Sequence, residues 1–127
     1  MITYSSATEE LRETDLDGFL AHWDFNPPSG TLLEMIHRSA EVVIARDAEA
    51  NQVCGYVTAL CDGIAFAFVS ALEVRPEYRR NGIGTELMRQ IVARLDVFGI
   101  YLSCAPAVMP FYESLGFKSG VAMSKRK

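Results

Sequence analysis

Leu72-Glu73-Val74-Arg75-Pro76-Glu77-Tyr78-Arg79-Arg80-Asn81-Gly82-Ile83-Gly84-Thr85 passes from a strand into a helix. Upstream, Ile64 to Val74 is mainly apolar on both parities. One holds Ile64, Phe66, Phe68, Ser70, Leu72 and Val74; the other holds Ala65, Ala67, Val69, Ala71 and Glu73. That pattern predicts a central strand covered on both faces. Downstream, Ile83, Leu87, Ile91 and Leu95 recur at helical spacing, with Met88 and Val92 beside them. They predict a helix from Gly82 to Phe98, closed by Gly99. Ile100 to Cys104 reads as the next strand, so a strand, a crossover helix and a parallel strand follow in order.

The junction itself carries chemistry. Gly82 and Gly84 let a ligand approach the backbone closely, and a helix start offers unpaired N–H groups to an anion. Arg79 and Arg80 add positive charge and forked donors. Two phosphate loops are excluded. A P-loop needs a lysine that does not occur here, and a GxGxxG fingerprint fails because Leu87 stands where the third glycine belongs. Taken as a bare pattern, the segment reads equally as a solvated turn whose glycines only cap and pack.

The rest of the chain extends this unit. Ile2 to Tyr4 reads as a short first strand. Leu16, Phe19, Leu20 and Trp23 predict a helix over 14–23, and Asn26-Pro27-Pro28-Ser29-Gly30 stops it. A second helix is expected over 31–39, then strands over 41–46 and 52–61, with Asp62-Gly63 as a tight hairpin. Met109 to Leu115 reads as a short helix, and Phe117 to Met123 as a final edge strand that could also serve dimerisation. Residues 1–127 are thus expected to form a single α/β (α+β) domain with a mixed central sheet flanked by helices.

Composition narrows the function classes. The 127 residues suit one core, and the 50% hydrophobic and 22% charged composition excludes a disordered chain. No apolar run is long enough to span a membrane. Met1 to Glu10 has no basic residue or apolar stretch of a leader, and Cys54, Cys61 and Cys104 form no CxxC pair. These features point to a cytoplasmic protein with reduced thiols. His22 and His37 lack companion ligands, so no metal site is expected. Residues 1–50 set three arginines against ten acids, a balance of −7, and the remainder carries +3. The acidic front is compatible with a cationic ligand, whereas the few basic residues argue against nucleic acid.

The segment LEVRPEYRRNGIGTELM resembles the acetyl-CoA-binding motif of the GNAT superfamily of N-acetyltransferases, [QR]-x-x-G-x-[GA], with Arg79, Gly82 and Gly84 in the motif positions. Phe111-Tyr112-Glu113-Ser114-Leu115-Gly116-Phe117 is similar to the family's FYexLGF element. The likeness is specific over 64–117 and architectural over 1–46. One departure is Ala105, where family members often carry Asn.

The resemblance implies a sheet whose parallel fourth and fifth strands splay apart. Backbone groups of Leu72 and Val74 would pair with pantetheine amides, and the N–H groups from Arg80 through Asn81, Gly82, Ile83 and Gly84 to Thr85 would hold the pyrophosphate. It further implies Tyr112 as the acid near the cofactor sulfur. The connector containing Trp23 and Phe25 would shape the acceptor pocket, although these two residues read equally as core. A base is left open between Glu73, Asp24, His22 and a water chain. Cys104 could be read as an acyl carrier, but no histidine stands ready to activate it. The implied activity is acetyl transfer to a small-molecule amine or an exposed protein amino group. The alternatives are another acyl group, or an idle acyl-CoA sensor. The chain is expected to be a monomer or homodimer.

Overall fold

A computed structural model describes all residues, Met1–Lys127. Five strands, β1 (Ile2–Ser5), β2 (Glu41–Asp47), β3 (Gln52–Cys61), β4 (Phe66–Val74) and β5 (Gly99–Tyr101), form one sheet in sequence order. Every neighbouring pair is antiparallel except β4–β5, which is parallel. Three helices complete the domain: α1 (Ser29–Arg38), α2 (Ile83–Arg94) and α3 (Met109–Ser114). The connection from β4 to β5 passes through α2, as a parallel pair requires.

Each face of the sheet has its own core. On one, Ile83, Leu87, Met88 and Ile91 of α2 pack on Val43, Val57, Ala59, Ala67 and Val69. On the other, Leu32 and Ile36 of α1 join Leu16, Phe19 and Leu20 over Val42, Ile44 and Tyr56. The predicted α2 stripe is buried as its spacing requires, but Val92 is exposed and the helix stops at Arg94. Gly99 does not cap it. Gly99 opens β5, its N–H donating to the Ala65 carbonyl at 2.9 Å.

The continuous alternation expected along β4 breaks at one residue. Val69 pairs with Ala59 and Ala71 with Thr58, so Ser70 is an extra, bulged residue. Its hydroxyl lies 2.8 Å from the Thr58 hydroxyl and 3.3 Å from the Thr58 carbonyl. The bulge exchanges faces. Ala67 and Val69 before it share the α2 side with Leu72 and Val74 after it. Glu73 faces the other core, opposite Tyr56. Phe66 and Phe68 remain exposed, so β4 is covered on both sides only along its later part.

Three further expectations fail for physical reasons. The Asp62-Gly63 link is a four-residue loop rather than a tight turn, because the Asp62 carboxylate gathers the N–H groups of Ile64, Ala65 and Phe66. The helix expected over 14–23 is only a 3₁₀ turn, Glu13–Leu16, followed by Gly18 at φ 88° and Leu20 at φ 60°. Its backbone groups are engaged instead by the side chains of Glu73, near the end of β4, and of Arg75 just past it. Phe117–Met123 forms no strand. The β5 ladder is three residues long, and the segment with Lys118, Ser119 and Gly120 runs beside it without pairing.

Candidate active site

β5 leaves the ladder early. Its pairs are Phe66–Gly99, Ala67–Ile100 and Phe68–Tyr101, so the last six residues of β4 have no strand on that side. The N–H of Arg75 donates to Cys54 O of β3 at 2.8 Å. Strand alternation therefore turns the backbone groups of Val74 and Leu72 toward the gap. The Val74 carbonyl accepts from Arg79 Nε at 3.1 Å. A strand edge with accessible amide groups thus ends directly at the arginine-glycine loop.

That loop is shaped by two left-handed residues, Arg80 at φ 66° and Gly82 at φ 76°. Asn81 Nδ2 donates to the Tyr78 carbonyl at 3.2 Å, closing the turn. Gly82 caps α2, and the first helical bond of this end runs from the Glu86 N–H to the Gly82 carbonyl at 3.1 Å. The N–H groups of Ile83, Gly84 and Thr85 therefore lack intrahelical acceptors. The Ile83 side chain is buried, leaving its backbone as the part available to a ligand. A Cβ at Gly84 would sit 3.6 Å from Phe111 Cζ and 3.9 Å from Val74 Cγ2, ordinary contacts that suit alanine but nothing long.

Tyr112 lines three cavities, two of which also contain Trp23. The larger, about 930 Å³, runs between Trp23, Asp24 and Phe25 on one side and Leu102 to Ala105 on the other. The second, about 500 Å³, contains His22, Glu73, Val74, Arg79 and Phe111. Trp23, Leu72 and Tyr112 line both. Edge-on rings hold the phenol, Phe111 at 5.0 Å and Phe117 at 5.9 Å. Burial, with a smaller contribution from Cys104, raises the Tyr112 pKa and keeps the phenol protonated. Trp23 and Phe25 are 42% and 59% exposed, so they line the cavity rather than fill the core.

The bulge at Ser70 delivers Glu73 to the 17–25 connector. Its Oε1 accepts the Leu20 N–H at 2.8 Å, and Glu73 lines the smaller cavity with His22 and Tyr112. Burial raises the Glu73 pKa; the Leu20 N–H and the charges of Arg79 and Arg75 oppose that shift. Cys104 is exposed on the cavity wall, and Ala105 brings no polar atom beyond its backbone.

Sequence reasoning missed Arg75, which it counted only as charge. Arg75 Nε donates to the Val53 carbonyl at 2.7 Å, Nη1 to Asp17 O at 2.7 Å and Nη2 to Asp15 O at 3.0 Å. Its guanidinium lies 4.2 Å from the Phe19 ring centroid, a cation–π distance. These bonds take the carbonyls that a 14–23 helix would have used. No local pattern announces such a partner; an arginine at a strand end just before proline is the one clue.

Known proteins place this architecture. The sequence profile described as Acetyltransferase (GNAT) domain matches residues 38–119. A candidate acetyltransferase from Deinococcus radiodurans R1 is 39% identical, with TM-score 0.93 over 99% of this chain and 88% of its own. A GNAT-family acetyltransferase from Streptococcus pneumoniae is 25% identical, with TM-score 0.79 over the whole of both chains. Glucosamine-6-phosphate N-acetyltransferase from Arabidopsis thaliana, at 12% identity and TM-score 0.72 over 99% and 98% of the two chains, shares the fold. No curated protein sequence matches the chain. With the splayed β4–β5 pair, the arginine-glycine loop and a family profile covering most of its length, the chain belongs to the GNAT acetyltransferases.

Proposed function

We propose that this protein moves an acetyl group from acetyl-CoA to a primary amine by direct attack of the amine on the thioester. The carrying observation is the continuous path from the β4 edge at Leu72 and Val74, which no strand covers, to the unpaired N–H groups of α2, with Tyr112 beside it. The groups fit the donor. Gly82 has no heavy atom within 4 Å of a would-be Cβ, so an anion can approach the bare backbone. Arg80 and Asn81 flank it, and the amide groups at Leu72 and Val74 can accept an added strand of pantetheine amides. Acetyl-CoA supplies an acyl carbon activated by its sulfur.

The chain's own groups then have distinct tasks. The N–H of Leu72 or Val74 is a main-chain donor for charge developing on the acyl oxygen. An amine with a pKa of about 10.4 is mostly protonated at neutral pH and must lose a proton before attack. Glu73 is a carboxylate on the cavity wall, and its raised pKa makes it the better acceptor, directly or through water. Tyr112, held protonated by burial, donates to the departing sulfur. Trp23 and Phe25 form the acceptor side.

Calorimetric titration with acetyl-CoA, followed by thiol release across a panel of amines, tests this reading. Saturable binding with amine-dependent release supports it. Binding without release from any amine overturns it in favour of an acyl-CoA sensor.

A further inference from the structure

One residue lining the larger cavity comes from the far end of the chain. It is Arg126, and Arg126 Nη2 lies 3.5 Å from Asp24 Oδ2. The segment from Phe117 to Ala122, with Ser124, walls the adjoining space beside Leu102, Cys104 and Tyr112, which carries Arg126 across the splayed cleft. Asp24 is the one carboxylate lining the larger cavity, and Arg126 is its one side-chain cation. Elsewhere in the connector, Asp15 is paired with Arg12 and Arg46, and Asp17 accepts the Ser29 hydroxyl. Asp24 has Arg126 as its sole ion-pair partner.

We propose that the acceptor carries a second cationic group that pairs with Asp24, and that Arg126 occupies this place until the acceptor displaces it. The inference rests on the amine-transfer reading above and adds the substrate class. Three observations support it. Both partners of the Arg126–Asp24 pair are largely exposed, at 79% and 91%, so the contact is weak and exchangeable. Replacing one cation by another leaves the charge count at Asp24 unchanged. Trp23 and Phe25 flank Asp24 in sequence and line the same cavity, placing aromatic surface beside the carboxylate. Arginine also suits a blocking residue, because a guanidinium stays protonated in proteins and is not an amine nucleophile. The occupant is therefore a mimic of the acceptor's second charge, not an acceptor itself. A diamine and a basic peptide share this chemistry.

Trp23 is the sole tryptophan of the chain, so its fluorescence reports on the subsite independently of turnover. 1,4-Diaminobutane and the capped peptide acetyl-Lys-Ala-Lys-amide are titrated separately against the protein saturated with CoA, with 1-aminobutane and acetyl-Ala-Lys-Ala-amide as controls. Saturable change with either dicationic probe, tighter than with its control, is expected; the stronger arm identifies a small diamine or a peptide. Asp24→Asn weakens that binding about 2- to 5-fold, and Arg126→Ala strengthens it by a similar factor, the range for an exchangeable ion pair. Raising salt from about 0.05 to 0.5 M shrinks the preference. Equal binding of probes and controls, or no response to Asp24→Asn, overturns the proposal. Probe binding without thiol release instead sinks the transfer reaction and leaves the subsite standing.

Discussion

The Leu20 N–H donates to Glu73 Oε1 at 2.8 Å, tying a left-handed residue of the connector to the end of β4. A non-glycine residue at φ 60° is costly and persists only where its surroundings hold it. Here the clasp is a carboxylate placed one residue from Leu72, so the residue that fixes the Trp23 connector also lines the smaller cavity with Tyr112. The Leu20 hydrogen bond favours the charged carboxylate, but burial acts more strongly in the opposite direction and favours the protonated one.

This gives a stability prediction with a definite sign. The folded protein raises the Glu73 pKa above its ordinary value, mainly through burial. Its contribution is therefore fully present below the unfolded pKa and lost as pH rises through the folded value. Glu73→Gln retains a carbonyl for the Leu20 N–H and has no charge to bury. Urea titrations should show the variant gaining on the parent as pH goes from about 4 to 7, while amine acetylation falls at both. A variant that loses ground over that interval would contradict the account.

Arg75 should matter to folding and to acceptor binding together. Removing its three carbonyl bonds and its stacking on Phe19 leaves Asp15, Asp17 and Val53 carbonyls short of a donor. Arg75→Ala is expected to cost about 2–4 kcal/mol in urea titration. Arg75→Lys should restore less than half of it, because a point charge cannot serve three divergent acceptors. In either variant the amine KM should rise more than the acetyl-CoA KM. Equal rises would deny the connector its role as the acceptor wall.

What could be read from the sequence, and what could not, follows from how local each determinant is. The arginine-glycine loop at the start of α2 was legible because Gly82 and its neighbours shape it through their own backbone. The α2 stripe was legible because Ile83, Leu87 and Ile91 repeat one spacing. Ser70 was not, since one extra residue in an apolar strand changes the facing of Glu73 without altering composition. Nor was the 14–23 connector. Its hydrophobic spacing satisfies a helix, but Arg75 and Glu73, more than 50 positions away, claim its backbone groups.

The two loop glycines should behave differently. Gly82→Ala forces a side chain into φ 76°, costing about 1–2 kcal/mol and turning the N–H groups away from an anion. Calorimetry should show acetyl-CoA affinity reduced about 10-fold or more, the equivalent of roughly 1.4 kcal/mol. Gly84→Ala meets only ordinary contacts at Phe111 and Val74, and its affinity should stay within about 3-fold. Indistinguishable behaviour of the pair would show that backbone geometry at Gly82 does not govern donor binding.

Tyr112→Phe isolates proton donation from packing. The ring keeps its edge contacts with Phe111 and Phe117, and only the hydroxyl is lost. Turnover should fall about 10²-fold, the lower range for general acid catalysis, with acetyl-CoA affinity little changed. Because burial raises the phenol's pKa, loss of rate in the parent enzyme at high pH should begin above the ordinary tyrosine range. The phenylalanine variant should lack that alkaline limb. If its profile keeps the same limb, another group supplies the proton and Tyr112 serves only as a cavity wall.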